Sequence, residues 1–242
     1  MNGPDILIGT SGWHYDDWKD VFYPHKLAKA RWLSFYSEHF HTVEVNATFY
    51  RTFRDSVYES WGSRVPADFR FVFKTPRLIT HLRYLSGVDR EIAEFCRQVS
   101  LIGGRFGLIL LQLAPGTPVD LRLLESALTA FGSCRVAVEF RNSRWFNEET
   151  KSLLEKKGAV FCAVDSPETK IIDWVTSDTA YIRLHGRRAW YDDLYTDTEL
   201  HEIADHVHDM CARGAKTIYI FFNNDPSGYA VKNATALNKL LA

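Results

Sequence analysis

The sequence lacks the features that mark membrane-bound, secreted or strongly basic proteins. Its longest apolar stretch, residues 106–114, is far too short to cross a bilayer, and its first residues have neither the basic flank nor the long apolar segment of a signal peptide. Lys and Arg total 29 against 30 Asp and Glu, which gives a formal net charge of -1. No overall field therefore attracts nucleic acid or an anionic membrane. We predict a cytoplasmic protein that binds no membrane and whose anion sites are local.

Cysteine is scarce, and the best-known catalytic motifs are missing. Cys96, Cys134, Cys162 and Cys211 are widely spaced and form no C-x-x-C pair, which favours reduced thiols over a disulfide framework or a zinc site. The sequence has no G-x-S-x-G, H-E-x-x-H, Walker or dinucleotide-binding motif. These absences disfavour triad hydrolases, zinc proteases, NTPases and Rossmann enzymes, and we predict no cofactor.

What the sequence does contain is a series of eight short apolar runs, most of them separated by helical patterns. This alternation is typical of a (β/α)8 TIM barrel, and 242 residues without a Pro/Gly/Ser-rich linker predict a single domain over residues 1–242. The predicted strands cover residues 5–10, 42–48, 69–75, 106–113, 135–141, 159–165, 180–185 and 217–223. Residues 166–178 contain Pro167 and little apolar periodicity, so the sixth crossover is predicted to be irregular.

A polar residue lies at the carboxyl end of each run. In a parallel barrel the carboxyl ends of all strands meet on one face, where known activities lie, so these residues form a candidate site. They are Ser11, Asn46, Lys74, Gln112, Arg141, Asp165, His185 and Asn223.

Strand parity places further charged residues on the inward face, because side chains alternate along a strand and the outward set meets the apolar helix layer. The inward charged set comprises Glu44, Lys74, Glu139, Arg141, Asp165, Arg183 and His185. Burying an unpaired charge costs several kcal/mol, so these groups must pair with one another, with water or with a ligand. Two interpretations stay open: an ion network that only fills the barrel, and a functional pocket shared by all of them.

Strands 7 and 8 suggest an anionic ligand, since many barrels hold phosphate at this position. They supply Arg183, His185 and Gly186, and the run NNDPSG leads into a predicted helix N-terminus. The adjacent Arg187 and Arg188 would add positive charge or simply lie in solvent.

A metal site is an alternative for the same carboxylates. Glu44, Glu139, Asp165 and His185 would provide an oxygen-rich set with one imidazole. The nearby cations Lys74, Arg141 and Arg183 would compete for these carboxylates, so we predict no metal. Glu44 with Glu139 would also suit a glycosidase pair, for which their separation decides.

Aromatic residues make up 14% of the chain, and several follow predicted strands. Trp13, Tyr15, Trp190 and Tyr191 would either pack loops onto the barrel or stack on a ligand. Around Arg187 and Arg188, the same rings would stack nucleic-acid bases.

The ordered motifs resemble the DUF72 or YecE-like family of TIM-barrel proteins across almost the whole chain. The matching segments are IGTSGWHYDDWKDVFYP, VEVNATFYRTF, FVFKTPRLITH, LLQLAP, VAVEFRNSRWF, AVDSP, YIRLHGRRAWY and FFNNDPSGYAVKNA. The family's E-x-N corresponds to Glu44 and Asn46, and its E-F-R to Glu139 and Arg141. The resemblance implies the fold and a pocket, and it brings no reaction with it.

Our leading hypothesis is an enzyme, such as a hydrolase, lyase or isomerase, that acts on a small anionic, phosphate-like or sugar-like substrate. Arg141, Arg183 and the turn after strand 8 would hold the anion. The proton-transfer candidates are Glu44, Glu139, Asp165 and His185, and Lys74 would act electrostatically or as a nucleophile. The other predicted ligand-binding residues are Ser11, Trp13, Asn46, Tyr50, Gln112, Asn223 and Asn224. The alternatives are a barrel that binds or processes nucleic acid and a non-catalytic metabolite-binding protein.

Overall fold

Eight parallel strands form one sheet in the computed structural model, which describes residues 3–241. The strands are β1 Asp5–Thr10, β2 Thr42–Val45, β3 Arg70–Lys74, β4 Phe106–Gln112, β5 Val136–Glu139, β6 Val160–Asp165, β7 Thr179–Leu184 and β8 Thr217–Phe222. Their order in the sheet is β1-β8-β7-β6-β5-β4-β3-β2. Together with the alternating helices, this order confirms the predicted (β/α)8 TIM barrel.

The helices alternate with the strands, apart from the sixth crossover. They are α1 Trp32–Ser37, α2 Ala47–Tyr50, α3 Asp55–Ser63, α4 Asp89–Ser100, α5 Leu121–Ala130, α6 Glu148–Lys157, α7 Asp197–Ala212 and α8 Tyr229–Leu240. Residues 166–178 are all described and contain no helix, which confirms the irregular crossover between β6 and β7. No helix within residues 3–241 has the length and apolar character needed to cross a membrane.

Local sequence signals explain where several helices begin and end. Thr196 and Glu199 form a capping box at the start of α7, in which each side chain bonds to the backbone N–H of the other. Asn147 accepts a hydrogen bond from Thr150 N at the start of α6, as its position in the sequence predicts. The same helix ends at Gly158, whose φ of 61° lies in the left-handed region.

Six strands end before their predicted carboxyl ends, β3, β4, β7 and β8 by one residue and β2 and β5 by two or more. β2 stops at Val45, because Asn46 has helical backbone angles and α2 starts directly after it. The Thr48 hydroxyl lies 2.6 Å from Lys74 O and 3.1 Å from Val45 O, which holds this turn against β3. β5 ends at Glu139, so Arg141 belongs to the following loop. Strand parity therefore applies to Glu139 but not to Asn46, Thr48 or Arg141.

The side chain of Tyr36 on α1 links β1 to β2. Its hydroxyl accepts the N–H of Thr10 at 2.9 Å and donates to Thr42 O at 3.0 Å. Gly9 makes this approach possible, since a Cβ there would lie 2.2 Å from Thr42 O. A tyrosine hydroxyl thus satisfies backbone groups of both strands.

The chain divides into two compact units, of which the first comprises Met1–Glu44 and Ala163–Ala242 and the second Val45–Cys162. The prediction of a single domain stays a prediction. All four cysteines are free thiols.

Candidate functional site

Glu44 is the centre of a buried hydrogen-bond network in the first unit. Arg183 donates to both of its carboxylate oxygens, at 2.9 Å and 2.8 Å, while Ser11 and Tyr181 donate at 2.8 Å and 2.5 Å. Burial alone would raise the pKa of Glu44, but the charge of Arg183 and these hydrogen bonds outweigh it and lower the pKa below its usual value. Glu44 is therefore an ionised carboxylate with all its acceptor positions engaged, and it balances the charge of Arg183.

His185 lies next to this pair at the end of β7. Its Nε2 is 3.4 Å from Arg183 Nη1, and its Nδ1 is 3.1 Å from the side-chain nitrogen of Asn223. Four predicted residues, Ser11, Glu44, Arg183 and His185, are buried here, and Asn223 is half-buried. The first unit thus brings five predicted site residues together.

Asp225 belongs to the same neighbourhood and was missing from the predicted site. The Tyr15 hydroxyl donates to Ser11 O, and its hydrogen bond with the Asp225 carboxyl by itself lowers the pKa of that group. Burial, with the charges of Glu44 and Asp17, raises the pKa of Asp225 to about 8. Its buried Oδ1 has no hydrogen-bond partner within residues 3–241. With its pKa raised to about 8, Asp225 is mainly protonated at neutral pH.

The loop after β7 follows one of the two strands that suggested an anionic ligand, and its backbone amides bond to an aspartate. The N–H groups of Arg187 and Arg188 donate to Asp193 Oδ2, at 2.7 Å and 3.0 Å. Gly186 has a φ of 96° and donates its N–H to the Tyr195 hydroxyl, and a Cβ there would lie 2.5 Å from Ala189 O. The aspartate thus occupies the place that an anion would take.

The arginine side chains of this loop are paired with carboxylates. Arg187 bonds to Asp165 at 2.8 Å and to Glu202, and Arg188 bonds to Asp193 and Glu199, each at 2.8 Å. These contacts reduce the positive charge that the loop presents.

Asp165 lines a separate cleft of about 690 Å³ beside the irregular crossover. Burial raises its pKa, although Arg187 opposes the shift. The other ionisable residues of the lining are Glu168, Lys170, Arg187, Glu202 and His206.

Asn224 and Trp13 have structural contacts. The Asn224 amide donates to Asp193 O at 2.7 Å and to Asn233 Oδ1 at 3.0 Å, which ties the turn after β8 to α8. Trp13 is half-buried, and its carbonyl accepts the hydroxyl of Tyr23. Trp18 is fully buried and donates to Asp225 O at 3.0 Å, so this ring packs the first loop.

The second unit contains another cluster, whose members share one face of the sheet. Lys74 pairs with Leu110, and Gln112, two residues along β4, pairs with Glu139. Because side chains alternate along a strand, Lys74, Gln112 and Glu139 project from the same face. Parity predicted Lys74 and Glu139 for this face, whereas Gln112 was predicted from its position at the end of a strand.

Glu139 is fully buried and bonded to two partners. Gln112 donates to its Oε1 at 2.9 Å, and Arg141 Nε forms an ion pair with the same oxygen. The Arg141 side chain is 18% exposed. This geometry makes Glu139 a group that orients Arg141.

Lys74 and the unpredicted His81 are joined through Phe49. The Lys74 ammonium lies 4.4 Å from the centre of the Phe49 ring, whose centre is 4.9 Å from that of His81. Thr80 Oγ1 lies 2.8 Å from His81 Nδ1 and orients the ring. Burial and the charges of Lys74, Arg77 and Arg141 lower the pKa of His81, although Glu139 opposes them. The imidazole is thus held neutral beside cations.

His81 lies in a single turn of π-helix, Leu78–Leu82. Such turns are rare and often occur at functional sites. The next residues are strained, since Tyr84 and Leu85 have φ values of 46° and 68°. Sequence periodicity gives no signal for a π-turn, which explains why His81 was missed.

The remaining predicted residues of the second unit lie beside this cluster. Asn46 is half-buried in the turn after β2, and Tyr50 is 78% exposed at the end of α2. Within residues 3–241, no three His, Cys, Asp or Glu side chains are grouped closely enough to hold a metal ion. The prediction that residues from both parts of the chain share one pocket stays a prediction.

Known proteins are similar to this chain over much of its length. It is 26% identical over 270 residues to the UPF0759 protein YunF of Bacillus subtilis, covering 98% of this chain and 94% of YunF. It is 32% identical over 169 residues to the UPF0759 protein YecE of Escherichia coli K12, covering 66% and 59% of the two chains. The crystal structure of a DUF72 family protein from Thermotoga maritima MSB8 matches with a TM-score of 0.88 at 32% identity, covering 98% of this chain and 99% of that one.

The family model described as "Protein of unknown function DUF72" matches residues 7–242. This match covers the motifs on which the resemblance depends and every residue of both clusters. The protein therefore belongs to the DUF72 family.

Proposed function

We propose that the protein is an enzyme that binds a small anionic substrate through Lys74 and Arg141 and transfers a proton through His81. The observation that carries this proposal is the charge balance around His81. Three cations, Lys74, Arg77 and Arg141, act on the ring together with one carboxylate, Glu139. These three cations would attract an anion bound there.

Each residue has a distinct role in this proposal. Lys74, only 8% exposed, supplies a charge that is weakly screened by solvent. Glu139 holds Arg141 by its Nε and thereby orients the guanidinium group, which binds a carboxylate or phosphate in this proposal. A neutral His81 accepts a proton from the substrate or, in a hydrolysis, from the attacking water, while the cations stabilise the negative charge that develops. The reaction is a hydrolysis, an elimination or an isomerisation that begins with this proton transfer.

The candidates of the first unit have no role in this site, and their roles stay predictions. Glu44, Asp165 and His185 are its proton-transfer candidates, and Ser11, Arg183 and Asn223 its ligand-binding candidates. The pairing of Arg187 and Arg188 with carboxylates favours a small ligand over nucleic acid.

Isothermal titration calorimetry with phosphate, sulfate and acetate tests the binding step. We expect Lys74→Met and Arg141→Ala to weaken binding about tenfold or more, because each removes a charge-assisted contact. Arg122→Ala is the matched control, since this exposed arginine on α5 is remote in sequence from the cluster. The proposal fails if the wild type binds none of these anions or if both variants keep its affinity.

The catalytic step needs a separate measurement. In a screen of small carboxylates and phosphates, we expect His81→Gln to abolish turnover while the dissociation constant of the substrate changes little. Turnover that survives this substitution would exclude His81 as the proton carrier. Binding without turnover of any compound would favour the non-catalytic alternative.

A further inference from the structure

An exposed apolar surface adjoins the cluster of Lys74, His81 and Arg141. Nine large apolar side chains are exposed within residues 3–241, and four of them fall in two short segments of the second unit. We call these four, Tyr50, Leu78, Leu82 and Tyr84, the apolar patch. Tyr50 is 78% exposed and Leu82 is 59% exposed, so solvent covers most of both side chains. Single exposed apolar residues are ordinary, but a group of them beside a charged site indicates a binding surface.

The Phe49 ring connects the patch to the charged residues. Its centre lies 4.4 Å from the Lys74 ammonium, 4.9 Å from the His81 ring centre and 4.9 Å from the Tyr50 ring centre. One aromatic ring therefore touches the cation, the proton carrier and an exposed member of the patch. A ligand anchored at Lys74 would meet apolar surface within the width of a single ring.

The backbone after β3 keeps part of this segment buried and part exposed. Ile79 and Leu85 are buried, and Leu85 N donates to Ile79 O at 2.9 Å across the π-turn. Leu82 and Tyr84, which lie between them, are exposed. The segment is fixed by hydrogen bonds, so its exposed side chains belong to an ordered surface.

Leu78 also lines a cleft of about 310 Å³. The apolar part of its wall comes from Pro76, Leu78, Ile79 and Phe95. A cavity of this size has room for a short hydrocarbon chain or a single ring.

We propose that the substrate is an amphiphilic anion, in which a carboxylate or phosphate is attached to a short hydrocarbon or aryl group. The charged end binds Lys74 and Arg141, and the apolar end lies on Tyr50 and Leu82. This inference rests on the proposed function, because the anionic end is the one assigned there. The occupant is a small molecule, because Lys74 is only 8% exposed and a narrow group alone can reach it.

A series of ligands of increasing chain length tests the inference. Calorimetry with acetate, butyrate, hexanoate and octanoate measures how affinity depends on chain length. A comparison of phenylacetate with phenyl phosphate identifies the preferred charged group. Each methylene that moves from water onto apolar surface is expected to tighten binding about fourfold, until the chain outgrows the patch.

Two variants locate the apolar contact. Leu82→Ser and Tyr50→Ala should both flatten the dependence of affinity on chain length, and Leu82→Ser should leave the affinity for acetate unchanged. Val119→Ser is the matched control, since Val119 is another exposed apolar residue of the second unit, 40% exposed. All three positions lie at the surface, and far-UV circular dichroism verifies that the variants are folded.

The outcomes separate the two proposals. If acetate binds but octanoate binds no more tightly, the amphiphilic substrate is excluded and the proposed function stands. If no anion of the series binds, the proposed function is wrong, and the inference that rests on it is wrong as well. If chain length has no effect and Leu82→Ser instead dissociates an oligomer in light scattering, the patch is a contact between protein chains and the inference is wrong.

Discussion

Arg183 and Glu44 face each other through two parallel hydrogen bonds, from Nε to Oε2 at 2.9 Å and from Nη2 to Oε1 at 2.8 Å. Their side chains are 1% and 0% exposed, respectively. Because the two charges cancel inside the protein, Arg183 has little charge left for an anion. The pair primarily fixes the geometry of the neighbouring Ser11, Tyr181 and His185.

Glu44→Gln is expected to lower the free energy of unfolding by about 3–5 kcal/mol, because Arg183 stays buried with its charge uncompensated. Urea unfolding at pH 7 measures this loss. Ser11→Ala, which removes one neutral donor to Glu44, should cost only about 1 kcal/mol. Equal losses in the two variants would show that the charge of Arg183 is compensated in another way.

Asp225 predicts an unusual dependence of stability on pH. In the unfolded chain its carboxyl loses a proton near the ordinary value of 3.8, whereas the folded protein holds the pKa at about 8. Between these values the folded state binds more protons than the unfolded state, so the contribution of Asp225 to stability falls as the pH rises.

Asp225→Asn removes this contribution while keeping a neutral side chain of similar shape. The variant should therefore gain stability relative to the wild type as the pH rises from 3.8 to about 8, and the difference should level off above that. Unfolding curves at a series of pH values measure the difference. Parallel pH profiles for the two proteins would contradict a protonated Asp225.

Tyr36→Phe should destabilise the link between β1 and β2. The substitution leaves the buried N–H of Thr10 and C=O of Thr42 without their partner, and each unsatisfied group costs about 1–3 kcal/mol. Tyr58→Phe is the control, because Tyr58 is also buried and its hydroxyl has no hydrogen-bond partner within residues 3–241. Thermal unfolding compares the two, and equal melting temperatures would refute the role of the Tyr36 hydroxyl.

Anion binding should be coupled to proton uptake by His81. Burial and neighbouring cations hold its pKa below the ordinary value of 6.5, and a bound anion offsets those cations and raises the pKa again. Sulfate, which does not titrate in this range, should therefore bind more tightly as the pH falls towards and below 6.5. Calorimetry in two buffers of different ionisation enthalpy counts the protons taken up, and His81→Asn should take up none.

The sequence predicted the fold well because the signals for strands and helix caps are local. β1 has the predicted bounds, and the absence of a helix after β6 follows from Pro167 and weak periodicity. The sequence overextended β2 and β5, where the Thr48 hydroxyl and the loop at Arg141 end the strands. Those endings depend on contacts with other segments, which a periodicity argument does not contain.

The candidate site was predicted in part for the same reason. Parity found Glu44, Lys74, Glu139 and Arg183, because burial between apolar neighbours is visible in the sequence. It missed Asp225 and His81, because each lies in an irregular turn where alternation no longer applies. The sequence also left open whether the Arg187 side chain lies in solvent, because its ion pair is with Glu202, which is distant in the sequence.

The loop after β7 supplies an anionic group, the Asp193 carboxylate, to its own backbone amides. The Asp193 carboxylate accepts hydrogen bonds from the Arg187 and Arg188 amides, so the loop keeps its conformation without a bound anion. Removal of the Asp193 side chain would take away the acceptor that these two amides and Arg188 Nε share. A shorter side chain at position 193 would therefore leave the amides of Arg187 and Arg188 to bond to water or to an anion from solution.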